Sequence, residues 1–188
     1  MRIAIVYDSG YGHTERVAQA VAEGVWEVEG AQVSLISVAD GVQWAELEKS
    51  DAIIFGSPTY NGSISARFKQ FFEDSTKAAW NEMKWRNKIA AGFTNSGAQN
   101  GDKLNSLVSM ALFAAQHGMI WVGLDLRAGN NSSTSSSDDL NRLGSWLGVM
   151  TQAKVDQGPD AAPPVCDLKT AQYLGRRVAT TVGRLQPA

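Results

Sequence analysis

Short, almost continuously apolar runs recur along the chain at residues 3–7, 33–38, 52–55, 89–93 and 119–122. Each is rich in β-branched or small apolar residues and too short for a stable helix, the pattern of strands covered on both faces. Between the runs the apolar positions switch to helical spacing. Residues 14–28 align Val17, Ala18, Val21 and Val25; residues 65–78 align Phe68, Phe71 and Phe72; residues 102–116 align Leu104, Leu107, Val108 and Leu112. Residues 39–49 leave room only for a short helix. This alternation predicts βαβ units and an α/β fold on one five-stranded parallel sheet, helices on both faces.

Beyond the fifth run, residues 129–137 read Gly-Asn-Asn-Ser-Ser-Thr-Ser-Ser-Ser, a loop composition. Ser137 and Asp138 then precede Leu140, Leu143, Trp146, Leu147 and Met150, which predicts an added amphipathic helix. Residues 156–165, with Pro159, Pro163 and Pro164, read as irregular, and residues 167–185 as a closing helix carrying Leu168, Ala171, Leu174 and Val178. With no repeat and no composition break, residues 1–188 read as a single domain.

Composition narrows the function classes. Lys and Arg number 17 against 19 Asp and Glu, a net charge of −2, with no basic run longer than Arg176-Arg177. Such a chain lacks the electrostatic footprint of a nucleic-acid binder. Its single cysteine, Cys166, cannot form an internal disulfide, and a chain of this length needs none to hold a core. The opening apolar run is broken at Asp8, too early for a secretory signal, and no apolar stretch approaches the ~20 residues of a membrane span. A cytoplasmic protein without a transmembrane segment is the expectation.

In open parallel sheets ligands sit beyond the carboxyl ends of the strands, and three of those loops are chemically informative. After the first strand comes Ser9-Gly10-Tyr11-Gly12-His13-Thr14, leading into a helix. The glycines allow close backbone approach, and the helix start offers unpaired N–H groups to an anion. Without a lysine, such a loop suits a monophosphate held by neutral donors; the same residues serve equally as a strand-to-helix turn capped by Ser9 or Thr14. After the third strand, Pro58-Thr59-Tyr60-Asn61-Gly62 forms a tight turn whose tyrosine either stacks on a planar ring or covers a neighbour. After the fourth, Thr94-Asn95-Ser96-Gly97 runs on to Gly101, small and polar throughout, able to bond the polar edge of a ring system or to remain a solvated turn. Three such loops on one crevice favour a ligand site.

Other chemistries fail on residues. A phosphatase signature needs an arginine six positions after its cysteine, where Gln172 stands; a receiver domain needs an aspartate after strand three and a lysine after strand five, where Gly56 and Gly123 stand. One cysteine and two histidines offer no zinc-ligand spacing, so no metal site is expected. His117, before Gly118, fits a helix end, and Trp80 and Trp85 fit a core or an oligomer interface.

Taken in order, Ser9-x-Tyr11-Gly12-His13-Thr14, Gly56-Ser57-Pro58-Thr59-Tyr60, the loop from Thr94, and Gln116-His117-Gly118-Met119 resemble flavodoxin-like FMN proteins. The likeness is greatest to the tryptophan-repressor-binding-protein family of NAD(P)H:quinone oxidoreductases and related FMN reductases. The resemblance implies a doubly wound sheet of order 2-1-3-4-5. It also implies that Ser9, Gly10, Tyr11, Gly12, His13 and Thr14 hold the FMN phosphate. Pro58, Thr59, Tyr60, Asn61 and Gly62 would pass one side of the isoalloxazine, and Thr94, Asn95, Ser96, Gly97 and Gly101 would bind its pyrimidine edge. By the same resemblance His117 lies by the flavin, Tyr11 on the nicotinamide side, and Trp80 in the substrate pocket, a catalytic set of His117, Trp80 and Tyr11. The chain departs from the family in the short residues 39–49 and in residues 129–152.

The implied activity is hydride transfer from NAD(P)H through FMN to a quinone or similar small acceptor. The alternative is a flavodoxin-type carrier serving redox partner proteins, a role that usually goes with a strongly acidic chain. Six tryptophans further predict a homodimer or homotetramer with aromatic residues at its interface.

Overall fold

A computed structural model describes residues 1–185. In chain order it contains β1 (Arg2–Tyr7), α1 (His13–Trp26), β2 (Gln32–Ser37), α2 (Trp44–Lys49), β3 (Ala52–Tyr60), β4 (Ser63–Ile64) and α3 (Ala66–Ala78). A 3-10 turn (Trp80–Glu82), β5 (Ile89–Ser96), α4 (Lys103–Gln116), β6 (Ile120–Trp121), β7 (Val149–Gln152) and α5 (Val165–Leu185) follow. The sheet runs β2-β1-β3-β5-β6 with all pairs parallel, and β7 joins β5 in parallel as well. This is the flavodoxin-like order that the resemblance implies. Among the described residues no helix is long and apolar enough to cross a membrane.

Because strand side chains alternate between faces, the core has two halves. Ile3, Ile5, Ile54 and Phe93 point to one side, where α1 and α5 cover them with Val17, Val21, Leu174 and Val178. Ala4, Val6, Ile53 and Phe55 point to the other, under Phe68, Phe71, Leu107 and Phe113 of α3 and α4. The two helices of the first face meet glycine to backbone: a Cβ on Gly24 would collide with Gln172 O, and one on Gly175 with Val21 O.

Two strands extend beyond the apolar runs that announce them. β3 continues through Gly56 to Tyr60, and β5 through Thr94 to Ser96. The polar ends are stitched laterally, with Thr59 Oγ1 2.7 Å from both Thr94 Oγ1 and Ser106 Oγ. β3 then turns back into β4 through Asn61 (φ 50°) and Gly62 (φ 80°), so the expected loop is a two-residue hairpin with both positions at positive φ.

The fifth strand position is split. β6 pairs with the start of β5, at Ile89 and Ala90, and β7 with its end, from Phe93 to Ser96. The amphipathic helix expected from Leu140 to Met150 is absent: this segment is turn and then strand. Asn141, at φ 49°, holds the backbone out of a helix. Its amide donates to Leu126 O and Ser145 O while its Oδ1 accepts from Ser145 N–H. The carbonyls of Trp146 and Leu147 are taken by Leu124 N–H and by the Trp121 indole. Tertiary partners thus claim the groups a helix would need.

Candidate functional site

β1 ends on Asp8, which is buried; its Oδ2 accepts from Ser65 Oγ at 2.6 Å, and Arg67 Nε lies 3.0 Å from Oδ1 without an aligned hydrogen bond. Ser65 caps α3, accepting from Phe68 N–H. The start of the first loop is therefore fixed to the start of α3. The loop enters α1 through Gly12 at φ 85°, and a Cβ there would meet Pro159 Cγ at 2.9 Å. Only glycine combines this backbone with that contact.

Ser9 Oγ accepts from Glu15 N–H, the capping role open to it from sequence. The N–H groups of residues 10–14 donate to no protein acceptor among the described residues. Five consecutive free donors at the start of a 14-residue helix make a nest for an anion. Thr14, buried at the first turn, turns its side chain to the same place.

A cavity of about 620 Å³ opens beside this nest, within the usual ligand-site range. The first loop contributes Tyr11, His13 and Thr14; β3 contributes Pro58, Thr59 and Tyr60; the end of β5 contributes Asn95, Ser96 and Gly97. Tyr11 and Tyr60 meet edge to face, centroids 6.4 Å apart. Burial raises the Tyr60 pKa, and the neighbouring Tyr11 adds to it, so the phenol stays protonated. Beyond Ser96, the N–H groups of residues 97–100 likewise find no protein acceptor among the described residues, leaving a second row of donors.

The fourth wall was not foreseen. Ala153, Val155, Gln157 and Gly158, just past β7, close the cavity. Gln157 O is 2.8 Å from His13 Nε2, and a Cβ on Gly97 would meet Val155 Cγ1 at 2.5 Å. The alternation of Val149 and Thr151 ahead of the Asp156-Gln157-Gly158-Pro159 turn cluster was the available signal for this strand and loop.

Other expected site residues support the cavity without lining it. Thr94 is fully buried behind the wall. Gly10 packs under the Tyr60 hydroxyl, Gly101 under Ser96 Oγ, and Asn61 and Gly62 form the hairpin turn.

His117 and Trp80 are not at this cavity. α4 runs 14 residues, about 21 Å at 1.5 Å per residue, and His117 follows its far end, at the amino end of the strands. With Ser75, Phe113 and Gln116 the two residues line a separate depression. Trp80 Nε1 donates to Gln116 O at 3.0 Å. The expectation that both lie by the flavin has this outcome: within one chain they stand apart from this cavity, because a helix that leaves the carboxyl end of one parallel strand runs back to the amino end of the next.

The sequence model of the NADPH-dependent FMN reductase family matches residues 43–130. The Pseudomonas aeruginosa protein named Flavodoxin FldP is 44% identical over 183 residues, covering 95% of both chains. NAD(P)H dehydrogenases (quinone) from Geotalea uraniireducens and Archaeoglobus fulgidus are 32% and 33% identical over 208 residues, covering 98% of this chain and 99% and 98% of theirs. The crystal structure of a flavodoxin, WrbA-like protein from Agrobacterium tumefaciens superposes with a TM-score of 0.75 at 38% identity, covering 98% of this chain and 99% of that one.

Proposed function

The chain belongs to the WrbA-like family of flavodoxin-fold FMN proteins, and from that premise we propose that its cavity holds FMN and passes electrons from NAD(P)H to a quinone-like acceptor. The observation that carries this reading is the row of free N–H groups over residues 10–14, opening on a cavity edged by aromatic rings and a second row of donors. A phosphate suits the first row and a heterocycle's polar edge the second.

In this reading Ser9, His13 and Thr14 hold the phosphate, with Gly10, Tyr11 and Gly12 supplying backbone N–H groups. Pro58, Thr59 and Tyr60 flank the ring, shaped by the turn at Asn61 and Gly62. Asn95, Ser96 and Gly97 meet the pyrimidine edge, with Thr94 and Gly101 holding that loop. Bound there, FMN supplies the redox chemistry, accepting hydride from NAD(P)H and yielding two electrons to the acceptor. The residues orient the ring, and their fixed donors favour negative charge without reorganising. Tyr11, 77% exposed, offers an aromatic face to a planar co-substrate at the open side.

His117 and Trp80 would meet the ring only from another copy of the chain, so a catalytic role for them is tied to a homodimer or homotetramer. The reading carries a cytoplasmic setting with it, where NAD(P)H is available. Its test is the visible spectrum of the isolated protein, then oxidation of NADH and NADPH with a benzoquinone. Flavin absorbance and turnover with the quinone support it; a colourless protein that takes up no added FMN overturns it.

The 44% identical relative named a flavodoxin favours a second reading, a one-protein electron carrier docking on redox partners. A net charge of −2 gives such docking little steering. Bound FMN with negligible NAD(P)H oxidation would select the carrier.

A further inference from the structure

Lys103, the first residue of α4, is completely buried. Burial disfavours an ammonium, and so does the positive end of a helix. Its Nζ donates to two neutral oxygens, Ser96 Oγ at 3.0 Å and Ala98 O at 2.6 Å. The acidic group that pulls on it is Asp167 of α5, and that carboxylate is already gripped through two bonds by Arg142 of residues 122–148, itself a cation facing the lysine. Burial brings the Lys103 pKa down to about 8, so the ammonium is still mostly charged at neutral pH. An uncompensated positive charge therefore stands one hydrogen bond behind Ser96, which lines the cavity.

A loop strut needs no charge. Ala98 O also accepts from Ser96 Oγ at 3.0 Å, so it keeps a donor without the lysine, and an apolar side chain would fill the lysine's place without desolvating a cation. What the charge adds is a preference for a ligand that becomes negative. Resting on the FMN reading above, we propose that Lys103 is a positioning residue that sets the cavity's preference for reduced over oxidised flavin, acting through Ser96 and the donor-rich loop it holds. Hydride transfer from NAD(P)H adds two electrons and one proton to the ring, leaving it with one negative charge. A fixed cation behind the pyrimidine loop stabilises that form and not the neutral oxidised one.

The test measures FMN dissociation constants by fluorescence, midpoint potentials by dye equilibration and thermal unfolding of the apoprotein, for wild type, Lys103→Met and Lys103→Arg. Lys103→Met is expected to bind oxidised FMN within about threefold of wild type while the reduced-over-oxidised preference falls about tenfold, roughly 30 mV for a two-electron couple. Its apoprotein should unfold no earlier than wild type, and Lys103→Arg should retain the preference. A Met variant that is less stable yet keeps the wild-type potential makes Lys103 a strut and overturns the proposal. Wild type that binds no FMN overturns the cofactor reading and this inference with it. Should Lys103→Met not fold, wild type decides: the preference must fall more steeply with pH above about 8, as the lysine loses its charge beside Asp167 and Arg142, and an unbroken pH dependence from 7 to 9.5 refutes it.

Discussion

The imidazole of His117 stacks on the indole of Trp85, ring centroids 4.4 Å apart. Ser75 Oγ lies 3.0 Å from Nε2, and Nδ1 has no partner among the described residues. Burial pushes the His117 pKa down to about 4, so the folded protein holds it neutral. Unfolding releases an imidazole that protonates below its ordinary value near 6.5. Its contribution to stability is therefore complete above about pH 6.5 and is lost as pH falls towards 4, by about 3 kcal/mol in all. His117→Phe has no proton to take up. Urea unfolding at pH 7.5 and 4.5 should show wild type losing about 2–3 kcal/mol more than the variant between the two, while FMN affinity is the same for both.

Thr14 is buried, lines the cavity, and its hydroxyl has no protein partner among the described residues. Thr14→Val keeps the shape and removes one donor to a charged oxygen, a loss of about 1.5–3 kcal/mol. FMN titration should weaken by about tenfold or more, with apoprotein unfolding unchanged. Equal titration curves would put the phosphate elsewhere.

Arg142 grips Asp167 at 2.7 and 3.0 Å, and Asp167 Oδ2 also accepts from Gln152 N–H of β7. Both side chains are shielded, 13% and 3% exposed. Asp167→Ala leaves a guanidinium largely buried and unpaired, which costs about 3–5 kcal/mol. Denaturant unfolding checks the total, and hydrogen exchange should show residues 138–152 losing protection first.

Assembly is testable without cofactor chemistry. Trp26, Trp80 and Trp146 are exposed, and Leu104, Val108 and Leu112 form a stripe along α4. Light scattering at micromolar protein with FMN bound is expected to report a dimer or tetramer; a monomer would remove the route by which His117 and Trp80 meet a flavin.

The five strands were readable in the sequence because buried parallel strands are continuous apolar runs, and their order came from the resemblance carried by the glycine and small polar residues at the strand ends. The polar extensions of β3 and β5 were hidden, since Thr59 pairs with Ile64 of β4, and Thr94 with Ser57 of β3 and Met150 of β7, partners that no local apolar run announces. β7 was hidden by a false helix: Leu140, Leu143 and Leu147 have helical spacing, while the Asn141 amide and the pairing of Val149 with Phe93 decide otherwise. With β7 unseen, the wall at residues 153–158 had no strand to follow. Lys103 was passed over because a lysine at a helix start reads as surface.

The divided fifth strand also makes the chain separable. The exposed residues 131–134 bond only within their own loop, through Ser132, Thr134 and Ser135. A cut there leaves one fragment ending past β6 and another supplying β7 and α5, each with its own stretch of β5 edge to occupy. The second fragment would rejoin the first by strand addition, carrying in the loop that completes the cavity, so that cofactor uptake would report reunion of the two halves.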